Sequence, residues 1–194
     1  MTLTKQVYLA GDMLNKGAQM QRTSEKEDIK SIGLNMYVPQ DNEEINDKKN
    51  AVQEGLAERI VRHDTDAIVN SDVIVIEPLP QGLGTHVELG QVHGMKTMAQ
   101  MILNLANDNC DECSSAELLN KIIEMSEGVV NKKVFPHYED IRRVKGLIES
   151  EDRRSLGINQ YVYGICLDLT DGKGFYEWDE VLAELTKIKN DPTL

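Results

Sequence analysis

Short apolar runs alternate with longer polar stretches along this chain, and the alternation predicts strands and helices in turn. Apolar, β-branched positions at 6–11, 34–39, 73–76 and 133–137 predict four strands, and 174–177 predicts a last one. The run at 73–76 is apolar at every position. Such a run is typical of a central parallel strand that is covered on both faces.

The segments between these runs predict helices. Helical character follows the first strand through Ile29, and Gly33 is placed to end that helix. Apolar residues recur at roughly helical spacing over 48–70, and further helices are predicted at 85–95 and 178–189. Strands and helices in alternation predict a doubly wound α/β domain.

A second feature is a helical insertion at about 96–130. Two amphipathic stretches, 98–105 and 116–125, flank the polar segment 107–115. Apart from this insertion, we expect one domain over residues 1–194, built on a five-stranded parallel sheet.

The composition of the chain restricts the kinds of partner that it is expected to bind. The chain is 40% hydrophobic and 28% charged, and no run of 18 apolar residues occurs, so no membrane segment is expected. Met1–Lys5 leads straight into a strand, which favours a cytoplasmic location. The net charge of −12 disfavours nucleic acid and favours a small, neutral or weakly charged ligand.

The cysteine and histidine positions give little support for a metal site or a redox role. Cys110 and Cys113 form one C-x-x-C pair without a second pair, which is too few ligands for a structural zinc site. His86 and His93 lie seven residues apart on one predicted helix, a poor spacing for joint ligation. No metal or cofactor is expected.

In a doubly wound sheet, ligands bind at the carboxyl ends of the strands. Three loops follow strands here and are expected to open onto one rim. The candidate binding residues on them are Gly11 and Asp12, then Asp41 and Asn42, then Gln81 and Gly84. The last loop lacks the lysine of a phosphate-binding loop and the G-x-G-x-x-G spacing.

Glu88 admits two interpretations. Thr85 near the N-cap and Glu88 in the first turn match a capping box, a common structural feature. Alternatively, positive helix-end potential keeps the carboxylate ionised as a nucleophile toward a sugar carbon. A second acid at the rim would favour chemistry, and Asp64 and Asp66 both qualify.

The chain resembles the nucleoside 2-deoxyribosyltransferase family. The similarity lies in the run HDTDAIVNSDVIVI at 63–76 followed by GTHVELG at 84–90. Three further segments match the family pattern and occur in the same order along the chain: VYLAG at 7–11, YVPQDN at 37–42 and GINQ at 157–160. The resemblance implies a flavodoxin-like subunit that transfers deoxyribose between bases through a covalent deoxyribosyl-glutamate.

Residue by residue, the resemblance assigns four roles. Glu88 matches the nucleophile, Asp64 the acid that handles the proton of the base, and Tyr8 the tyrosine that orients the nucleophile. Asn159 matches an asparagine that reaches a neighbouring subunit's site and binds the 5′-hydroxyl. Deoxynucleosides and nucleobases are therefore the expected partners, in a homo-oligomer.

One position departs from the family pattern. Gly82 stands where the family often has an aspartate that contacts the base, and Gln81 or Asp12 could substitute. The related 2′-deoxynucleoside 5′-monophosphate N-glycosidases also lack that aspartate and form the main alternative. Asp12 would repel a 5′-phosphate, which favours the free nucleoside. A non-catalytic nucleoside-binding protein is a third hypothesis.

Overall fold

The computed structural model describes residues 5–42, 56–108, 116–140 and 160–191. Their elements in chain order are β1 (Gln6–Gly11), α1 (Lys16–Ile32), β2 (Asn35–Tyr37), a 3₁₀ turn (Pro39–Asp41), α2 (Leu56–Asn70), β3 (Val73–Glu77), α3 (Leu83–Asp108), α4 (Ala116–Val130), β4 (Lys133–Pro136), α5 (Gln160–Leu169) and α6 (Trp178–Asn190). The first helix ends as predicted at Gly33, which adopts a left-handed φ of 81°.

The described strands form one parallel sheet in the order β2-β1-β3-β4. This is the doubly wound order expected of a flavodoxin-like domain. The prediction of a fifth strand at 174–177 is wrong for the described residues, because only Tyr176 forms a single parallel bridge, to His137. Gly174 turns the chain with a φ of 79°, and Glu177 already caps α6, so no length remains for a strand.

Alternation along the strands divides the core into two layers. Val7 and Leu9 of β1 pack with α1 and α6, whereas Tyr8 and Ala10 pack with α2, α3 and α5. The central strand β3 is buried at every position, as its apolar run predicts. The second layer therefore holds Tyr8 facing the helix that carries Glu88.

Helix α3 differs from its prediction at both ends. It begins at Leu83, so Thr85 is not its N-cap and Glu88 lies in the second turn, which overturns the capping-box interpretation. It also continues without interruption to Asp108, so the first half of the insertion extends the helix that carries Glu88. Lys96 ties this helix to the next strand, since its Nζ donates to the carbonyls of Val130 and Lys132 at 2.6 and 2.8 Å.

A buried ion network joins α1 to the carboxyl ends of β1 and β3. The Arg22 guanidinium donates to Glu77 at 2.5 Å, to Glu25 at 2.8 Å and to the carbonyl of Ala10 at 3.2 Å. Gln21 adds hydrogen bonds to both carboxylates, at 3.0 and 3.2 Å. Arg22 and Glu77 are each only 1% exposed, so this network fixes the start of two rim loops from inside the protein.

Among the helices of the described ranges, none combines the length and the apolar character that crossing a membrane requires.

Replacing Arg22 by Met should destabilise the fold by about 3–5 kcal/mol, because the Glu25 and Glu77 carboxylates would stay buried without their cation. The matched control is Lys187→Met, which breaks an exposed pair with Glu184 and should cost less than about 1 kcal/mol. Urea unfolding of the two variants measures both. Equal losses would contradict the role assigned to Arg22.

Candidate active site

A pocket of about 200 Å³ opens at the carboxyl edge of the sheet, between the loops after β1, β2 and β3. Its walls combine three acids, one arginine and one threonine with apolar and glycine positions: Leu9, Ala10, Gly11, Asp12, Met13, Leu14, Arg22, Val38, Pro39, Ile60, Asp64, Gly82, Leu83, Gly84, Thr85 and Glu88. Glu88 and Asp64, predicted from distant segments of the chain, thus share one cavity.

Glu88 is held by Tyr8. The Tyr8 hydroxyl donates to Oε1 of Glu88 at 2.8 Å. Tyr8 itself is 0% exposed in the core layer beneath α3, so its hydroxyl has little freedom to move. Burial, followed by the nearby charge of Glu88, raises the pKa of Tyr8 well above its usual range, which keeps the phenol protonated as a donor.

The electrostatics of Glu88 differ from the expectation of a helix-end carboxylate. The pKa of Glu88 is raised to about 7, and burial is the main cause. The charge of Asp64 adds to this rise, whereas the hydrogen bond from Tyr8 opposes it. The reason is that the side chain lies in the second turn of α3 inside the pocket, beyond the exposed N–H groups of the first turn. Both protonation states of Glu88 are therefore populated near neutrality.

Asp64 is held by a second tyrosine. The Tyr37 hydroxyl donates to Oδ1 of Asp64 at 3.1 Å and accepts from Nδ2 of Asn42 at 3.1 Å. Burial raises the pKa of Asp64, and the hydrogen bond from Tyr37 opposes that rise. Asp66, the other acid of the sequence motif, is exposed on the far side of α2.

The two tyrosines are stacked on each other. Strand pairing places Tyr8 directly opposite Tyr37, and their rings lie 5.7 Å apart with an interplanar angle of 8°. Residues paired across parallel strands point to the same face of the sheet. The register of β1 and β2 therefore places Tyr8 and Tyr37 next to each other. Their hydroxyl groups hold Glu88 and Asp64, respectively, in one pocket.

The first loop is packed closely against the buried ion network. A Cβ on Gly11 would lie 1.8 Å from Nη1 of Arg22, so only glycine fits there. Asp12 is 4% exposed and accepts from the backbone N–H of Leu14 at 3.1 Å. A Cβ on Gly82 would lie 3.5 Å from that of Asp12, which places Asp12 beside the position where the family often has its aspartate.

The remaining predicted binding residues are placed differently. Gly84 lines the pocket, with open space around its Cα. Asp41 instead accepts from Nζ of Lys26 at 2.8 Å, and Gln81 is exposed outside the pocket lining. Asn42 does not line the pocket; its Nδ2 donates to the Tyr37 hydroxyl, which contacts Asp64. Asn159 lies outside the described residues.

The sequence did not predict Tyr37 or Arg22 as residues of this site, nor apolar lining residues such as Val38 and Ile60. Tyr37 stood within a motif quoted for the family, and its alignment with Tyr8 across neighbouring strands was the signal that could have identified it. Arg22 gave no such signal, because an arginine in a polar helix ordinarily indicates a solvated face. Within the described ranges, no group of three histidine, cysteine or acidic side chains is arranged to hold a metal ion.

Comparison with solved structures supports the fold. A conserved protein from Enterococcus faecalis V583 is similar, with a TM-score of 0.61 and 18% identity over 95% of this chain and 98% of its own. The 2-deoxyribosyltransferase from the psychrotolerant bacterium Bacillus psychrosaccharolyticus gives a TM-score of 0.50 and 16% identity over 93% of this chain and 95% of its own. At these identities the similarity shows a shared fold.

Comparison of sequences gives the family. No curated protein sequence matches this chain. The family model for nucleoside 2-deoxyribosyltransferase, however, matches residues 7–154, which include Tyr8, Asp64 and Glu88. The chain therefore belongs to the nucleoside 2-deoxyribosyltransferase family.

Proposed function

We propose that this protein transfers 2-deoxyribose from one nucleobase to another by double displacement on Glu88. The observation that carries the proposal is the pocket at the sheet edge, in which Glu88 and Asp64 are each hydrogen-bonded by one of two stacked tyrosines. Two carboxylates flanking a glycosidic bond are the usual apparatus for retaining chemistry at a sugar C1′.

The first displacement uses one protonated and one ionised carboxyl group. An oxygen of Glu88 bonds to C1′ while the C1′–N bond breaks, and Asp64 gives its proton to the departing nitrogen. Because the charge of Asp64 opposes ionisation of Glu88, the two carboxyl groups favour a state that holds one proton between them. That shared state supplies the nucleophile and the acid together.

The second displacement reverses the first. A nitrogen of the incoming base bonds to C1′, the ester bond to Glu88 breaks, and the N–H proton of that base returns to Asp64. Water in place of the base gives hydrolysis. Each step is completed by groups of the chain and of the substrate, so the proposal needs no cofactor.

The pocket walls support a nucleobase as ligand. Val38, Pro39 and Ile60 present apolar surface in the pocket lining, and Leu83 adds to it from the start of α3. Flat apolar surface with a few polar groups is the usual lining of sites for small aromatic ligands. The intact hydrogen bond from Tyr8 to Glu88 favours catalysis over binding alone.

The proposal includes self-association. An apolar groove of about 530 Å³ lies between α3 and α4, bordered by Met98, Ile122 and Met125, and Met125 is 74% exposed. Exposed apolar patches of this kind mark interaction surfaces. The resemblance of Asn159 to a residue that completes a neighbouring site gives a reason for a second copy.

Glu88→Gln should lower both base exchange and hydrolysis by at least about 10⁴-fold, because a double displacement has no route without its nucleophile. Chromatography of products from deoxyinosine with and without adenine measures both activities. Glu184→Gln, an exposed carboxylate on α6, is the control and should be unaffected. Wild-type turnover by Glu88→Gln would contradict the mechanism.

Deoxyadenosine should be used at least about tenfold better than its 5′-monophosphate, because a phosphate dianion beside the buried Asp12 is repelled in a medium of low dielectric constant. Arg22 offers little compensation, since it is already paired with two carboxylates. Asp12→Asn should reduce the preference for deoxyadenosine over its 5′-monophosphate. Preference for the monophosphate without base exchange would favour the N-glycosidase alternative instead.

The protein should sediment as an oligomer at micromolar concentration, and Met98→Glu together with Met125→Glu should dissociate it by placing charge in the groove. Lys121→Glu on the exposed face of α4 serves as the charge-matched control. A fully active wild-type monomer would rule out a site that is shared between subunits.

A further inference from the structure

We propose that Tyr37 and Asn42 form a positioning pair that fixes the proton-bearing oxygen of Asp64. This inference deepens the proposed function and rests on it. It assigns a role to a second tyrosine beside the one that holds Glu88, and to an asparagine whose contact is to Tyr37 instead of the pocket lining.

The argument begins with the direction of one hydroxyl proton. Nδ2 of Asn42 can only donate, and it points at the Tyr37 oxygen at 3.1 Å. The Tyr37 proton cannot lie on the same line, so it is turned toward Oδ1 of Asp64, also at 3.1 Å. The amide of Asn42 thus selects the orientation in which Tyr37 acts as a donor.

A donor at Oδ1 determines where the acid carries its proton. A protonated carboxyl group has one O–H and one acceptor oxygen. Because Oδ1 accepts from Tyr37, the proton of Asp64 belongs on Oδ2, for which no hydrogen bond is present within the described residues. That proton is then available to the leaving base.

The ring of Tyr37 is restrained for the same purpose. It stacks on the fully buried Tyr8 with an interplanar angle of 8°, and β2 holds its backbone. The charged and titratable groups facing Asp64 are Tyr37 from β2, Tyr8 from β1, Glu88 from α3 and His63 from α2 itself. Among the described residues, Tyr37 is the only one of these groups that forms a hydrogen bond with the Asp64 carboxyl group.

The test compares two leaving groups. Deoxyguanosine needs a proton on its departing base, whereas 7-methyl-2′-deoxyguanosine carries a positive charge and releases a neutral base without one. Asp64→Asn should lower kcat on deoxyguanosine by about 10²- to 10⁴-fold and on the methylated nucleoside by much less, with Asp66→Asn as the neutral control. Tyr37→Phe keeps the stacked ring and should show the same pattern at about 10-fold or more.

Asn42→Asp provides the second variant. It replaces the donor by an acceptor of the same shape, which draws the Tyr37 proton away from Asp64 and should reproduce the selective loss on deoxyguanosine. KM should change little in Tyr37→Phe, because neither hydroxyl nor amide lines the pocket.

The outcomes separate the two proposals. Equal losses on both nucleosides, or no loss on deoxyguanosine, would overturn the positioning role of Tyr37. If the wild-type protein releases no base from either nucleoside, the proposed function itself fails. If Asp64→Asn loses activity selectively on deoxyguanosine but Tyr37→Phe does not, the proposed reaction stands and the positioning role of Tyr37 is wrong.

Discussion

The Arg22 guanidinium lies beneath the pocket, in contact with three separate elements. Its hydrogen bonds reach the end of β1, the end of β3 and a carboxylate of its own helix. A buried cation with two buried carboxylates is costly to desolvate, and the cost is offset only in well-defined geometry. The same contacts also require Gly11 to be glycine. The positions of the rim loops, and of the acids they surround, depend on this buried network.

Glu88 and Asp64, the two acids at the centre of the candidate site, are held by neutral donors instead, and within the described ranges neither forms a salt bridge. Their pKa values are raised, and the phenols of Tyr8 and Tyr37 provide partial compensation through hydrogen bonds. Phenols suit this purpose, since they donate without neutralising the carboxylates as a lysine or arginine would. The protein thus pairs carboxylates with a buried cation in the network around Arg22 and with neutral donors in the candidate site.

The sequence predicted most of the sheet, because apolar runs are local properties, and the family motifs pointed to Glu88 and Asp64, which line one pocket in the structure. Periodicity alone could not choose between Asp64 and Asp66, since both belong to one helix and only packing decides which faces inward; the choice of Asp64 came from the family resemblance. The fifth strand failed for a related reason: Phe175 and Tyr176 look like strand residues, but Gly174 and the cap of α6 leave the chain no room to pair. The role of Arg22 could not be predicted because Glu77, its partner on β3, lies 55 residues away along the chain.

Helix α3 runs unbroken from the loop before Glu88 to the tip of the helical insertion. A helix turns by about 100° per residue, so one residue added or deleted between Glu88 and Gly94, where the groove lining begins, would rotate everything beyond it by that angle. The apolar groove would then face a different direction relative to the sheet, while Glu88 stayed in place. Related chains should therefore vary in length at the junction between α3 and α4 far more readily than within α3. The spacing between Glu88 and the groove becomes a fixed quantity of the architecture.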